Sequence, residues 1–184
     1  NKFLATIGKK KDYIIQPGLI QHDELSRIYP HSVNTFRIAT ENSNGNVRLL
    51  CATLRMGQRG MEVDNGTQGG LLVKIDVEKG TFSDYATTEE NEYFEKHPDT
   101  NFVFKKYQLK NWKDIKEFTI EATQKLSDFA YLGWDIALTD SGPVAIETNF
   151  KFGLDHYQVA LGGLREILEI TDPDFYWKNK GKRI

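Results

Sequence analysis

A succession of β-rich runs separated by tight turns constrains the fold of this chain most. Residues 35–40 alternate in polarity, residues 42–46 read Asn-Ser-Asn-Gly-Asn, and residues 47–56 run back as a second β-rich stretch. Because Asn and Gly favour the turns that join antiparallel strands, this stretch predicts a β-hairpin. Comparable runs predict further strands at residues 13–16, 71–76, 81–86, 102–109, 130–138 and 143–148.

Helical patterns are fewer. Apolar residues recur at three- and four-residue intervals between residues 112 and 127, which predicts an amphipathic helix. One helical turn is expected at residues 23–27, before Pro30, and a final helix at residues 157–169. Many antiparallel strands with a few helices predict an α+β fold. Since no repeat or linker divides the sequence, we expect residues 1–184 to form a single unit.

The composition argues against several classes of function. Hydrophobic residues make up 39% and charged residues 27% of the chain, as in globular proteins. The net charge of -2 argues against a general nucleic-acid or membrane-surface binder. No apolar stretch approaches the length of a membrane span, and we expect a cytoplasmic protein. Cys51 is the only cysteine, which excludes an internal disulfide and favours a small buried residue.

The strongest chemical signal is a predicted hairpin that carries two carboxylates and an amide. Its strands are residues 133–138 and 144–149. Side chains alternate along a strand, so Glu147 and Asn149 share a face, and the turn places Asp135 opposite them. These hard oxygen ligands suit Mg²⁺ or Mn²⁺, and Mg²⁺ in proteins usually takes further ligands from substrate phosphates. The pattern therefore indicates a metal site that takes a nucleotide or another phosphate ligand.

An ordinary acidic hairpin exposed to solvent is the alternative interpretation. Against it, Trp134, Ala137, Ala145 and Ile146 predict a mostly buried hairpin, in which unpaired carboxylates would be costly. The spacing therefore favours metal binding.

Two further features bear on this site. Residues 57–70 form a long Gly-rich loop, and such loops are usually functional or mobile. Residues 64–66 within it are either a plain Asn-Gly turn or part of a substrate gate. His156 follows the hairpin and would either reach the site or pack at the start of the final helix.

Several motifs together resemble the ATP-grasp superfamily. Asp135, followed about a dozen residues later by Glu147-Thr148-Asn149, is similar to its metal-binding signature. The order and spacing of other motifs resemble one branch, the sugar-transfer-associated ATP-grasp proteins found with bacterial surface-polysaccharide genes. The resembling segments are residues 15–17, 21–22, 32–38, 54–57, 63–65, 69–70, 97–100, 133–136 and 147–149.

The resemblance implies where ATP is held. Such enzymes bind ATP between two lobes, and the end of a strand such as residues 13–16 hydrogen-bonds adenine through its backbone. Gln16 and Leu19 would lie at this hinge, and His22 or Asp23 would lie near the ribose.

The resemblance also implies the roles of the charged residues. The three hairpin ligands would hold two Mg²⁺ ions against the β- and γ-phosphates of ATP. Arg37 and Arg55 would reach the phosphates or an acyl phosphate, with Arg59 as a further cationic candidate, because a guanidinium fork suits phosphate. For Arg37, a strand arginine that faces solvent is the alternative.

The implied activity is that of a Mg-ATP-dependent carboxylate–amine ligase in bacterial cell-surface polysaccharide synthesis. The alternatives are a phosphotransferase of the same fold that acts on a sugar or polyol hydroxyl, and a non-catalytic nucleotide- or glycan-binding module. The partners would be ATP and a carboxylate, amine or sugar acceptor, with the oligomeric state open. Because no Gly-rich lobe with phosphate-binding lysines precedes residue 13, we expect this sequence to be the C-terminal catalytic part of the fold.

Overall fold

The computed structural model describes residues 17–64 and 69–168, which build one seven-stranded antiparallel sheet. The strands are β1 (Thr35–Ser43), β2 (Asn46–Met56), β3 (Leu71–Ile75), β4 (Phe82–Thr87), β5 (Tyr93–Phe94), β6 (Tyr131–Thr139) and β7 (Gly142–Asn149). Their spatial order is β5-β4-β3-β2-β1-β6-β7. The helices are α1 (Asp23–Ser26), α2 (Trp112–Gln124) and α3 (Asp155–Leu161). The predicted α+β class is confirmed.

The predicted hairpin at residues 35–56 forms β1 and β2. Asn44 and Gly45 take positive φ angles of 52° and 88° in the turn, a conformation that these two residue types tolerate best. Asn42 accepts a hydrogen bond from the backbone N–H of Gly45 through its side-chain oxygen, at 2.9 Å. β1 then lies between β2 and β6, next to the middle strand β2.

One face of the sheet packs on α2. Phe36, Leu54 and Ile136 lie side by side on β1, β2 and β6, and all three are fully buried. Trp112 and Ile115, on the apolar side of α2, complete this core. Because side chains alternate along a strand, the neighbouring residues of β1, β2 and β6 face the other side of the sheet.

The other face is covered in part by α3. Tyr157 of this helix is fully buried against Ala39 and Cys51 in a second, smaller core. Phe152, just before α3, lies so close to Gly133 that an added Cβ there would be 2.4 Å from the Phe152 Cβ. Burial raises the pKa of the Cys51 thiol to about 12, so the predicted buried role of Cys51 is confirmed and a nucleophilic role is disfavoured.

A buried carboxylate anchors α1 to the body of the domain. Glu24 accepts hydrogen bonds from the Tyr107 hydroxyl at 3.1 Å, the Lys110 backbone N–H at 2.8 Å and the Asn111 side chain at 2.9 Å. Burial, followed by the neighbouring Glu24 charge, raises the pKa of Tyr107 to about 12. The segment that precedes α1 is held beside the end of β6 by the bridge between Gln21 and Thr139 and by the backbone hydrogen bond from His22 to Leu138.

Four predictions of local structure need correction. Residues 102–109 do not form a strand, because Lys106 turns with a φ of 54° and the aromatic residues there pack on one another rather than alternating. The segment 87–100, predicted as a loop, contains the short strand β5. The final helix begins and ends earlier than predicted, at Asp155–Leu161, and is followed by Gly162 with a φ of 86°.

The fourth correction concerns the hairpin of β6 and β7, which is only half buried. Trp134 and Ala137 are buried on β6, whereas Ala145 and Ile146 are exposed on β7, which is the edge strand of the sheet that the described residues form. The predicted strand at residues 13–16 lies outside the described residues. None of the helices in the described part of the chain has the length and apolar character needed to span a membrane.

Candidate functional site

Charged residues form a row across the face of the sheet that α3 covers in part. Arg37 on β1 is paired with Asp135 on β6, and Asp135 is paired with Glu147 on β7. The partner of Arg37 on β2 is Thr53. Arg55 lies two residues further along β2 and therefore on the same face. Since neighbouring strands are about 4.8 Å apart, the row brings groups from four strands within reach of one ligand.

Asp135 is the centre of the row. Its Oδ1 lies 3.9 Å from Nη1 of Arg37, and its Oδ2 lies 3.6 Å from Nη1 of Arg55. Arg55 also makes a closer ion pair, from Nη2 to Oδ1 of Asp64 at 3.1 Å. All four side chains are at most 16% exposed. The interpretation of Arg37 as a solvent-facing strand residue is therefore wrong.

The electrostatic balance at Asp135 is unfavourable to its own charge. Burial raises its pKa, Arg37 and Arg55 lower it, and Asp64 and Glu147 raise it again, with a net increase. Its buried Oδ1 has no hydrogen-bond partner among the described residues. A bound cation would stabilise the ionised carboxylate that the protein alone leaves incompletely compensated.

Glu147 and Asn149 complete the donor set at the edge of the sheet. The Asn149 amide donates a hydrogen bond to Glu147 Oε1 at 2.6 Å, which leaves its own carbonyl oxygen for another partner. Within residues 17–64 and 69–168, no group of three or more His, Cys, Asp or Glu side chains is arranged to hold a metal. Two carboxylates and an amide nevertheless suit Mg²⁺, which takes its remaining ligands from water and phosphates.

Three further groups lie near the site, and two of them, Glu89 and Tyr157, carried no clear signal in the sequence. His156, at the start of α3, approaches Glu89 in the segment after β4, with 2.8 Å between Nδ1 and Oε1. Tyr157 of α3 lies near Arg37 and Asp135, and burial raises its pKa well above the ordinary value. His156 therefore lies at the start of α3 and also near the charged row, so each of the two alternatives describes part of its surroundings.

This arrangement can be compared with known protein families. The chain matches the family described as sugar-transfer associated ATP-grasp over residues 2–172. The chain belongs to this family. No curated protein sequence matches it significantly. The family and the α+β sheet together identify an ATP-grasp domain, of a kind that binds ATP and generally uses Mg²⁺ in ATP-dependent enzymes.

The ATP-grasp domain holds part of its long loop close to the site. Asp64 joins residues 57–64 to the charged row through Arg55 and through a hydrogen bond from the Thr35 hydroxyl. Three side chains from two other segments hold the backbone of the same loop. The contacts are His97 Nε2 to Gly57 O (2.9 Å), the Tyr29 hydroxyl to Met61 O (2.8 Å) and the Gly60 N–H to the Asp99 carboxylate (3.2 Å).

Acid is expected to weaken this loop through His97. His97 is fully buried, donates from Nε2 to Gly57, and accepts at Nδ1 from the Asp99 backbone N–H at 3.2 Å. Burial lowers its pKa, so the unfolded chain takes up the proton first as the pH falls. The contribution of neutral His97 to the free energy of unfolding is complete above about pH 6.5, the pKa of a histidine in the unfolded chain. It is lost as the pH falls towards the lower pKa that His97 has in the folded protein. In urea unfolding at pH 7.5, 6.5 and 5.5, the free energy of unfolding should fall less with decreasing pH in His97→Gln than in the wild type.

His156 has a lowered pKa as well, so some acid sensitivity should remain in His97→Gln. An equal loss of stability in the variant and the wild type would contradict the assignment to His97.

The residues expected near adenine and ribose lie together but away from the charged row. His22 caps α1, accepts at Nδ1 from the Glu24 N–H at 3.0 Å, and donates its own N–H to Leu138 at 2.8 Å. Leu19 and Asp23 are exposed beside it. Leu138 is three residues beyond Asp135, or roughly 10 Å along β6. Their role in binding the base and ribose stays a prediction, and Gln16 lies outside the described residues.

Arg59 is not part of the row. It is exposed, in a left-handed turn with a φ of 56°. Asp64, in contrast, is more closely tied to the site than a plain turn residue would be.

Proposed function

We propose that this ATP-grasp domain catalyses the Mg-ATP-dependent joining of a carboxylate to an amine through an acyl phosphate. The observation that carries the proposal is the position of Asp135, buried between two arginines and paired across the sheet with Glu147. Negative groups on β6 and β7 are suited to a metal, and positive groups on β1 and β2 are suited to phosphate. A phosphoryl group with bound Mg²⁺ would bring the metal to the carboxylates and the phosphate oxygens to the arginines.

The carboxylates of Asp135 and Glu147 and the side-chain oxygen of Asn149 would hold Mg²⁺. Bound there, Mg²⁺ would neutralise charge on the β- and γ-phosphates of ATP. Since Asn149 already donates to Glu147, the two side chains are oriented before a ligand arrives. Such pre-orientation reduces the cost of binding and is the main way in which a protein accelerates phosphoryl transfer.

The two arginines would bind the transferred phosphoryl group. Arg55 is held on one side by Asp64 and on the other by Asp135, so its planar fork is fixed in the sheet face. Arg37 makes a longer contact, of 3.9 Å, with Asp135 and lies near the buried Tyr157 hydroxyl, so it is held less firmly by carboxylates than Arg55 and could turn towards a ligand. No protein nucleophile is needed, because the acyl phosphate forms on the substrate carboxylate itself.

The setting we propose is cell-surface polysaccharide synthesis, in the cytoplasm. The family description, sugar-transfer associated, supports an acceptor linked to sugar transfer. The same description favours a second candidate, a phosphotransferase that acts on a sugar hydroxyl. The two differ in their requirements, because a ligase turns ATP over only when a carboxylate and an amine are both present.

A thermal-shift titration tests the nucleotide site. We expect ATP with Mg²⁺ to raise the melting temperature, whereas ATP with EDTA and Mg²⁺ alone have little effect. At a ligand concentration a hundredfold above Kd, the stabilisation is about 2.7 kcal/mol. For a domain of this size, that corresponds to a rise of roughly 5–10 °C. An equal shift with ATP and EDTA would contradict a metal-dependent site.

A further inference from the structure

Two titratable side chains at the site have no part in the metal chemistry proposed above. His156 Nδ1 and Glu89 Oε1 lie 2.8 Å apart, and their side chains are 20% and 26% exposed. The contact is not aligned as a hydrogen bond, and both atoms are buried without a hydrogen-bond partner in the described part of the chain. Buried polar atoms are rarely left in this state without a functional or structural reason.

The position of this pair in the row suggests its role. Glu147 and Asp135 come from β7 and β6, Arg37 and Arg55 come from β1 and β2, and Glu89 follows β4 on the far side of the arginines. His156 meets Glu89 there and remains close enough to both arginines to respond to their charges. The carboxylates for the metal and the His156–Glu89 pair therefore lie on opposite sides of the two arginines.

Phosphoryl transfer also places its reactants on opposite sides of a central group. The attacking and leaving atoms of a phosphoryl transfer are roughly in line, on opposite sides of the transferred group. If the metal and the nucleotide occupy the β6–β7 side, the carboxylate that receives the phosphoryl group must approach from the β4 side. The amine that then attacks the carbonyl carbon of that acyl phosphate meets it on the same side. Of the described side chains there, His156 is the one suited to accept a proton near neutral pH.

We propose that His156 is the catalytic base that removes the proton from the incoming nucleophile, with the Glu89 carboxylate lying beside its Nδ1. The proposal rests on the function proposed above and deepens it. The neutral amine bonds to the carbonyl carbon of the acyl phosphate, the bond from that carbon to the phosphate oxygen breaks, and inorganic phosphate leaves. The surplus proton of the amine moves to Nε2 of His156 and from there to solvent.

The surroundings of His156 suit a base. A proton on Nδ1 that faces Glu89 leaves the lone pair of Nε2 free. Burial lowers the pKa of His156, Arg37 and Arg55 lower it further, and Glu89 and Asp155 raise it, with a net decrease. The ring is therefore neutral at pH 7 and able to accept a proton.

The first test uses the full chain with Mg-ATP and with water as the probe nucleophile. Water attacks the γ-phosphorus, the bond to the β–γ bridging oxygen breaks, ADP leaves, and the proton of the water moves to Nε2. Phosphate release should rise with pH through the pKa of His156. His156→Gln should bind Mg-ATP as the wild type does, by thermal shift, yet lose on the order of 10²-fold in turnover together with the acid limb of the pH profile.

Two further variants sharpen this test. Glu89→Gln removes a charge that raises the pKa of His156, so the acid limb should move to lower pH. His31→Gln changes an exposed histidine outside the site and should leave both rate and profile unchanged. A wild-type rate and profile in His156→Gln would overturn the proposal, because a merely structural histidine does not set a pH profile.

A second measurement separates this proposal from the proposed function. Nitrogen-15 NMR of the histidine rings, assigned with His156→Gln, reports which nitrogen carries the proton. If the wild type shows no Mg-ATP shift, the proposed function fails. In that case, or if phosphate release is too slow to follow, the ring spectrum decides about His156. A neutral ring at pH 7 with its proton on Nδ1 supports the base, and a proton on Nε2 overturns it.

Discussion

Glu147→Gln is expected to fold as the wild type does and to lose Mg-ATP binding. Glu147 is exposed on the edge strand, and the side-chain contact it makes in the described residues is the hydrogen bond from Asn149. The change is nearly isosteric, so the free energy of unfolding should change by less than about 0.5 kcal/mol. Loss of a group that only supports a metal ligand costs roughly 10- to 100-fold in affinity, so loss of a ligand itself should cost at least that.

The measurement is the thermal-shift titration with ATP and Mg²⁺, in parallel with urea unfolding. Glu121→Gln is a matched control, because Glu121 is an exposed carboxylate on α2, away from the charged row. The control should keep the full Mg-ATP shift. If Glu147→Gln also keeps it, the carboxylate is not a ligand. If the variant unfolds instead, Glu147 has a structural role.

Gly80→Ala is expected to be the most destabilising single change that adds one methyl group to the described part of the chain. Gly80 has a φ of 71°, and an added Cβ would lie 2.2 Å from Cγ of Trp112. Trp112 is 4% exposed and donates from its indole to the Val77 carbonyl at 3.1 Å, so it has little freedom to move. The left-handed conformation costs a non-glycine residue about 1–2 kcal/mol, and overpacking of a core costs about 1–3 kcal/mol more.

We therefore expect Gly80→Ala to lower the free energy of unfolding, measured in urea, by roughly 2–5 kcal/mol. Gly45→Ala separates the two contributions. Gly45 also has a positive φ, of 88°, but nothing lies within 4 Å of an added Cβ there. It should lose only the conformational part, about 1–2 kcal/mol. Equal losses in the two variants would mean that Trp112 accommodates the methyl group.

The hairpins could be predicted from the sequence because their signals are local. Asn44 and Gly45 mark the first turn, and strict alternation then fixes which side chains share a face. The same argument predicted that Asp135 lies opposite Glu147, and the register pairs the two residues directly. A bulge between Asp135 and Ile136 was not predicted, since it depends on how β7 bends against β6.

The rest of the site depends on long-range packing, which the sequence does not encode locally. Whether His156 meets Glu89 depends on where a two-turn helix rests on the sheet. That position is set by Tyr157 in the second core. Likewise, nothing in residues 142–149 indicates that they form an edge strand, so their apolar residues were wrongly expected to be buried. In residues 102–109, aromatic packing overrode the β-propensity of Phe and Val.

The division of the charged row between two hairpins has a consequence for synthesis of the protein. The hairpin of β1 and β2 carries Arg37 and Arg55, and the hairpin of β6 and β7 carries Asp135 and Glu147. A nascent chain that has completed only the first hairpin exposes a pair of arginines without the carboxylates that later face them. On the function proposed above, such a chain would attract phosphates through its arginines but would lack the carboxylates proposed to hold Mg²⁺. Competence for nucleotide would then arise only once β7 has left the ribosome.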